Sequence, residues 1–253
     1  MPFKNVLQIK SYYTQQGSGK DVLCLVGWGQ DTQMFQPTAD FFANRFRVTV
    51  VDYPGFGQSE TMNEPWDMDA YVQWLDALLK MLDVRNPIII AHSFGARVAI
   101  KFQLTHPVRK LILAGAAGIR PKRSLDTVLR IYSFKLLKHI FKLPFLVKYQ
   151  EPLRKLFGSE DYKAISGVLR SSFVKIVNED LTPYLSRIDV PTLLIWGEHD
   201  DATPLWMGKR MEEEIKDAGL VVFENDGHYA YWNQLNRFHA IVNVFLEEDA
   251  SHV

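Results

Sequence analysis

Cysteine is almost missing from this chain. Cys24 is the single one in 253 residues, so no intramolecular disulfide staples the fold, and the usage fits a reducing compartment. It lies inside the apolar run Val22-Leu23-Cys24-Leu25-Val26, where inert packing is the expectation. Net charge is missing too: 29 lysines and arginines balance 29 acids, which argues against a nucleic-acid partner. No stretch is long and apolar enough to span a bilayer, so stable membrane insertion is not expected. Met1-Pro2-Phe3-Lys4-Asn5-Val6 lacks the basic segment and apolar run of a signal peptide, and a cytoplasmic location is expected. There is no internal repeat, and no His/Cys or carboxylate cluster has metal-ligand spacing. Gly27-Trp28-Gly29 lacks the later glycine and the downstream acid of a dinucleotide site, so no cofactor is expected.

What is present is an ordinary globular composition, 47% hydrophobic and 23% charged, with ample length for one core. Short apolar runs alternate with helical patterns. Val6 to Tyr13 reads as an opening strand, and Val22 to Val26 as a strand buried on both faces. A helix follows from Thr32 to Asn44, then a strand from Phe46 to Val51. Met68, Tyr71, Val72, Leu75, Leu78, Leu79 and Leu82 recur at steps of three and four, which makes an amphipathic helix. Strands at Pro87 to Ile90, Lys110 to Gly115, Pro191 to Gly197 and Leu220 to Phe223 follow. Helices are expected after Ser93, near Pro204 and from Gln234 to Leu246. Such alternation implies parallel crossovers and an α/β fold: a mostly parallel sheet with helices on both faces. The pattern breaks between Ile119 and Tyr184, which reads as an inserted helical cap. The core is then 1–118 with 185–253, and the cap is 119–184.

Five loops at the carboxyl ends of the strands carry the chemistry, where ligands gather in a parallel sheet. Ala91-His92-Ser93-Phe94-Gly95 joins a strand to a helix with small residues about the serine, as in a nucleophile elbow. The others are Gly27-Trp28-Gly29, Asp52 to Ser59, Gly197-Glu198-His199-Asp200 and Asn225-Asp226-Gly227-His228. Asp52 to Ser59 follows DxPGxGxS, and Gly197, Asp200 and Pro204 follow GxxDxxxP. With the Gly-His pair near the C-terminus, in this order and spacing, nearly the whole chain resembles the α/β-hydrolase family, in particular its small capped esterase-like and lipase-like members.

The resemblance implies a serine hydrolase with Ser93 as nucleophile, Asp200 as acid and His228 as base, and an oxyanion hole at the backbone N–H groups of Trp28 and Phe94. It implies a small-molecule ester substrate. Carbon–carbon hydrolysis of a vinylogous ketone, cyanohydrin lysis and a non-enzymatic receptor share the constellation. Asp201 neighbours the acid, although the spacing to Pro204 favours Asp200. His92 and His199 read as supporting or packing residues, Asp52 as the organiser of its own loop, and Tyr229, Tyr231 and Trp232 as pocket or core. Two positions depart from the family: Val26 stands where a histidine usually precedes the Gly-x-Gly loop, and Ala91 replaces the first glycine of the elbow.

The insertion is rich in apolar residues such as Leu125, Leu129, Tyr132, Leu136 and Ile140, enough for an apolar roof. It also carries thirteen lysines and arginines against six acids, so the charge of a neutral chain is segregated here. A solvated helical face accounts for this, and attraction of an anionic substrate, an acidic carrier protein or a lipid surface is the sharper alternative.

Overall fold

The computed structural model of the chain describes residues 2–120 and 167–250. Among them, eight strands form one sheet: β1 Phe3–Val6, β2 Ile9–Gln16, β3 Lys20–Leu25, β4 Phe46–Val51, β5 Ile88–His92, β6 Lys110–Ala114, β7 Thr192–Gly197 and β8 Ala218–Phe223. Their order is β1-β2-β4-β3-β5-β6-β7-β8. The β1–β2 and β2–β4 pairs are antiparallel and every other pair is parallel. Successive residues of a strand face opposite sides of the sheet. Since Val22–Leu25 and all of β5 are buried, the central strands are covered on both faces, as the continuous apolar runs predict.

The described helices are α1 Gln36–Phe42, α2 Met68–Met81, α3 Phe94–Gln103, α4 Gly167–Asn178, α5 Thr182–Leu185, α6 Leu205–Glu214, α7 Ala230–Asn233, α8 Leu235–Phe245 and α9 Glu247–Ala250. The α2 helix starts where Asp67 accepts from the Ala70 N–H at 3.0 Å, which satisfies a donor its first turn leaves open. Met68, Tyr71, Trp74, Leu75, Leu78 and Leu79 then form its buried face. Burying each such side chain is worth roughly 1.5–3 kcal/mol.

The opening segment differs from the single strand expected at Val6 to Tyr13. Leu7 and Gln8 take left-handed backbone, φ 49° and 68°, and fold the segment into the β1–β2 hairpin. Two-residue turns of this kind are usually announced by Asn-Gly or a similar pair, and Leu-Gln carries no such signal. The helix expected from Thr32 is also divided. A 3-10 turn at Thr32–Phe35, capped by Asp31, precedes α1. Of the insertion, only its two ends are described. The apolar stretch from Leu125 to Phe141 and most of the basic residues lie outside the described residues. The described end is tied to the core: the Trp66 N–H donates to Ser172 Oγ at 2.9 Å, and Lys175 Nζ to the Pro65 carbonyl at 2.7 Å.

Strand β3 sits between β4 and β5, so the chain leaves it in one direction along the sheet and returns on the other side. The carboxyl ends of β3 and β5 therefore flank a topological switch point, the crevice where open α/β sheets bind ligands. Trp28 follows β3 and Ser93 follows β5.

Candidate active site

The turn after β5 is strained in the way an elbow requires. Ser93 has φ 50° and ψ −108°, a region a side chain rarely adopts. Its backbone is held from three sides: its N–H donates to the Ala114 carbonyl at 3.1 Å, and its carbonyl accepts from the N–H groups of Ala96 and Ala117. Such a conformation persists only where the surroundings over-determine it. Close approach of α3 to β3 needs Gly95, where a Cβ would lie 2.2 Å from the Leu25 carbonyl oxygen. Ala91 is buried and pairs in register with Leu25, so its added methyl is absorbed by the core.

On the far side, the loops after β7 and β8 bring Asp200 and His228 together. Gly197 packs so closely on the next loop that a Cβ would be 2.1 Å from the Gly227 carbonyl oxygen. The His199 N–H donates to the Asp226 carbonyl at 2.8 Å and ties the two loops. Within this frame His228 Nδ1 lies 2.8 Å from Asp200 Oδ2. Asp200 Oδ1 accepts from the N–H groups of Ala202 (2.9 Å) and Thr203 (2.7 Å), and Oδ2 from Thr203 Oγ1 at 2.8 Å. Burial alone would raise the Asp200 pKa, but the hydrogen bond and charge of His228 and then the Thr203 donors hold it below the usual carboxylate range. An ionised Asp200 fixes the His228 proton on Nδ1 and leaves Nε2 as a lone-pair acceptor. Asp201 is exposed and makes no such contact.

Ser93 and His228 line one cavity of about 840 Å³ with Trp28 and Phe94. The rings of Trp28 and Phe94 meet edge to face at 5.1 Å between centroids. Their backbone N–H groups have no acceptor among the described residues, and that of Phe94 belongs to the open first turn of α3. The arrangement brings together a hydroxyl, an imidazole oriented by a carboxylate, and two unengaged N–H donors. Chemically that is a set for proton abstraction, attack on a carbonyl and stabilisation of an oxyanion.

Four residues around this set were not singled out by the sequence reading. Thr203 buttresses Asp200. Gly115, with φ 49°, backs the acid–base pair, since a Cβ there would be 3.1 Å from His228 Nδ1. Gln30 braces the Gly27-Trp28-Gly29 loop. Its Oε1 accepts from the Gly27 N–H at 2.7 Å and lies 3.3 Å from His92 Nδ1. Arg97, on α3, lines the same cavity. Asp52, by contrast, serves its own loop as expected, accepting from the N–H groups of Thr32 and Gln58 at 2.7 Å each. Tyr229 lines the cavity, Tyr231 is buried beneath it, and Trp232 is exposed.

His92 supports rather than titrates. Its Nε2 donates to the His228 carbonyl at 3.0 Å, and burial, followed by the charge of His228, lowers its pKa to about 3. A free histidine titrates near 6.5, so between these values the unfolded chain binds a proton that the folded chain refuses. The stabilisation is therefore whole above about pH 6.5 and is lost as the pH falls toward 3, by roughly 2–3 kcal/mol at pH 4.5. His92→Gln is expected to remove that component, so the drop in unfolding free energy between pH 7 and 4.5 shrinks by this amount in urea titrations. An unchanged drop would mean that His92 is not held neutral.

The chain belongs to the alpha/beta hydrolase family, whose model matches residues 22–243, and it is a hydrolase. It is 29% identical over 248 residues to the AB hydrolase superfamily protein YisY of Bacillus subtilis (strain 168), across 90% of this chain and 92% of that protein. It is 28% identical over 275 residues to a 2-hydroxy-6-oxononadienedioate/2-hydroxy-6-oxononatrienedioate hydrolase of Burkholderia vietnamiensis, across 94% of this chain and 91% of that one. Among solved structures, an esterase from Exiguobacterium antarcticum superposes with a TM-score of 0.76 at 25% identity, covering 97% of this chain and 98% of its own. No described helix is long and apolar enough to cross a membrane.

Proposed function

We propose that the protein is a serine hydrolase that cleaves carboxylic esters through an acyl-enzyme intermediate. The observation that carries this reading is the 2.8 Å contact between His228 Nδ1 and Asp200 Oδ2 at the wall of the cavity that the strained Ser93 turn enters. Ser93 Oγ attacks the ester carbonyl as His228 Nε2 takes its proton. Asp200 stabilises the imidazolium that forms, and the N–H groups of Trp28 and Phe94 receive the oxyanion. His228 gives the proton to the departing alkoxide. Water, deprotonated by the same imidazole, then releases the acid and restores Ser93. The insertion at 119–184 is proposed to set substrate choice.

A second reading is hydrolysis of a carbon–carbon bond in a vinylogous ketone by the same three residues. It is favoured by the relative at 28% identity, which is named for such a dienedioate, whereas the structural relative at 25% identity is named an esterase. One experiment tests both. The purified protein is treated with a neutral fluorophosphonate, the labelled peptide is mapped, and rates are measured on aryl esters of graded chain length and on a 2-hydroxy-6-oxo-dienoate. Label on Ser93 with ester turnover is expected. Label on Ser93 with dienoate cleavage and negligible ester turnover would move the assignment to the second reading. An unlabelled Ser93 would overturn both.

A further inference from the structure

Arg97 is a cation for which the proposed relay has no use. It stands one helical turn beyond Ser93, about 6 Å along the axis of α3, so the two lie on one face of that helix. It is only 7% exposed, yet it lines the cavity. Nη1 donates to the carbonyls of Ile176 and Glu179 at 3.0 Å each. Nε and Nη2 have no acceptor among the described residues. The carboxylates that act on it most are committed elsewhere. Glu179 Oε1 takes a 2.6 Å bond from Lys101 Nζ, and Asp180 Oδ1 accepts from the Thr182 N–H and hydroxyl. Burial lowers the Arg97 pKa to about 10, with Glu179 and Asp180 opposing, so the guanidinium stays charged at neutral pH.

A buried cation whose hydrogen-bond acceptors are main-chain carbonyls, with Glu179 and Asp180 attracting it only through space, is incompletely paired, and an arriving anion completes the pairing. The planar fork of a guanidinium matches the two oxygens of a carboxylate. Ile119, Ile176, Val177 and Met207 give the same cavity an apolar part, where charge interactions are stronger than in water, and Asp201 is the one carboxylate among its described lining residues. No other lysine or arginine lines the cavity among the described residues.

We propose that Arg97 recognises a carboxylate carried on the substrate, so that the preferred esters are those bearing an anion, such as the monoesters of short dicarboxylic acids. This rests on the reading of Ser93 as the nucleophile. The test compares kcat/KM for aryl hemiesters of succinate, glutarate and adipate with the corresponding neutral aryl methyl diesters. A preference of at least tenfold for a charged member is expected in the wild type. Arg97→Met is expected to cut that preference tenfold or more, and Arg97→Lys to keep part of it. Because Arg97 also ties α4 to α3, a second measurement uses the wild type alone: glutarate, and not the neutral glutaramide, slows fluorophosphonate labelling of Ser93. Absence of a charge preference, an equal loss on both esters in Arg97→Met, or labelling indifferent to glutarate overturns the proposal. A Ser93 that resists the label removes the hydrolase reading and this one with it. Labelling without charge selectivity removes this one alone.

Discussion

Replacing Ser93 by alanine is expected to lower ester turnover by about four to six orders of magnitude while the protein stays folded. The fold should survive because the turn is held by main-chain groups, not by the hydroxyl. The Ser93 N–H is engaged by Ala114, and its carbonyl by Ala96 and Ala117. Alanine keeps the Cβ, so the backbone strain at φ 50° is the same in both proteins. Turnover should not reach zero, since removing one member of such a relay leaves roughly 10³–10⁴ of rate acceleration from the oxyanion donors and from binding. Steady-state rates on an aryl ester, with a thermal melt of the same sample, check both halves. A variant that melts like the wild type and keeps more than about 1% of its turnover would exclude Ser93 as the nucleophile.

The second large effect is structural and arises two residues further on. A methyl at Gly95 would lie 2.2 Å from the Leu25 carbonyl oxygen and 2.8 Å from that of Val26, both main-chain atoms that cannot rotate away. Gly95→Ala therefore forces α3 off the end of β3. The cost is expected at about 3 kcal/mol, the upper end for overpacking a core, and is read as a lowered midpoint in urea. The displaced helix carries Phe94 while Trp28 stays in the loop after β3, so the two proposed oxyanion donors move apart and turnover falls as well. An unchanged midpoint together with unchanged turnover would show that the helix is free to slide and that the close approach is unimportant.

Much of this architecture was legible because its signals are local. The β3 and β5 strands carry the continuous apolar runs Val22–Leu25 and Ile88–Ala91, and the three residues proposed as a relay sit in loops with distinctive spacing. What escaped was long-range or poorly signposted. The Leu7–Gln8 turn uses residues that do not advertise left-handed backbone. Gln30 meets His92 across 62 positions, and Arg97 meets Ile176 and Glu179 across 79 and 82. No window of sequence contains such pairs, so a glutamine and an arginine with ordinary neighbours gave nothing to read. Asp200 and Asp201 could be separated by spacing, yet the physical reason came only from folding: one is buried against His228 and the other faces solvent.

The insertion between β6 and β7 falls, in chain order, between the segment that holds the Ser93 turn and the segment that holds the Asp200–His228 pair. The Ser93 elbow is completed by β3, β5 and β6, and Ala114 already locks it before residue 119. The acid–base pair is assembled from residues 200–228 on β7 and β8, after the insertion has ended. A lengthened, shortened or exchanged segment between them has to keep the ties that join the described end of the insertion to the core, Ser172 to Trp66, Lys175 to Pro65 and Ile176 to Arg97. With those ties kept, the segment proposed to choose the substrate is expected to be exchangeable as a cassette between the two parts of the proposed catalytic set.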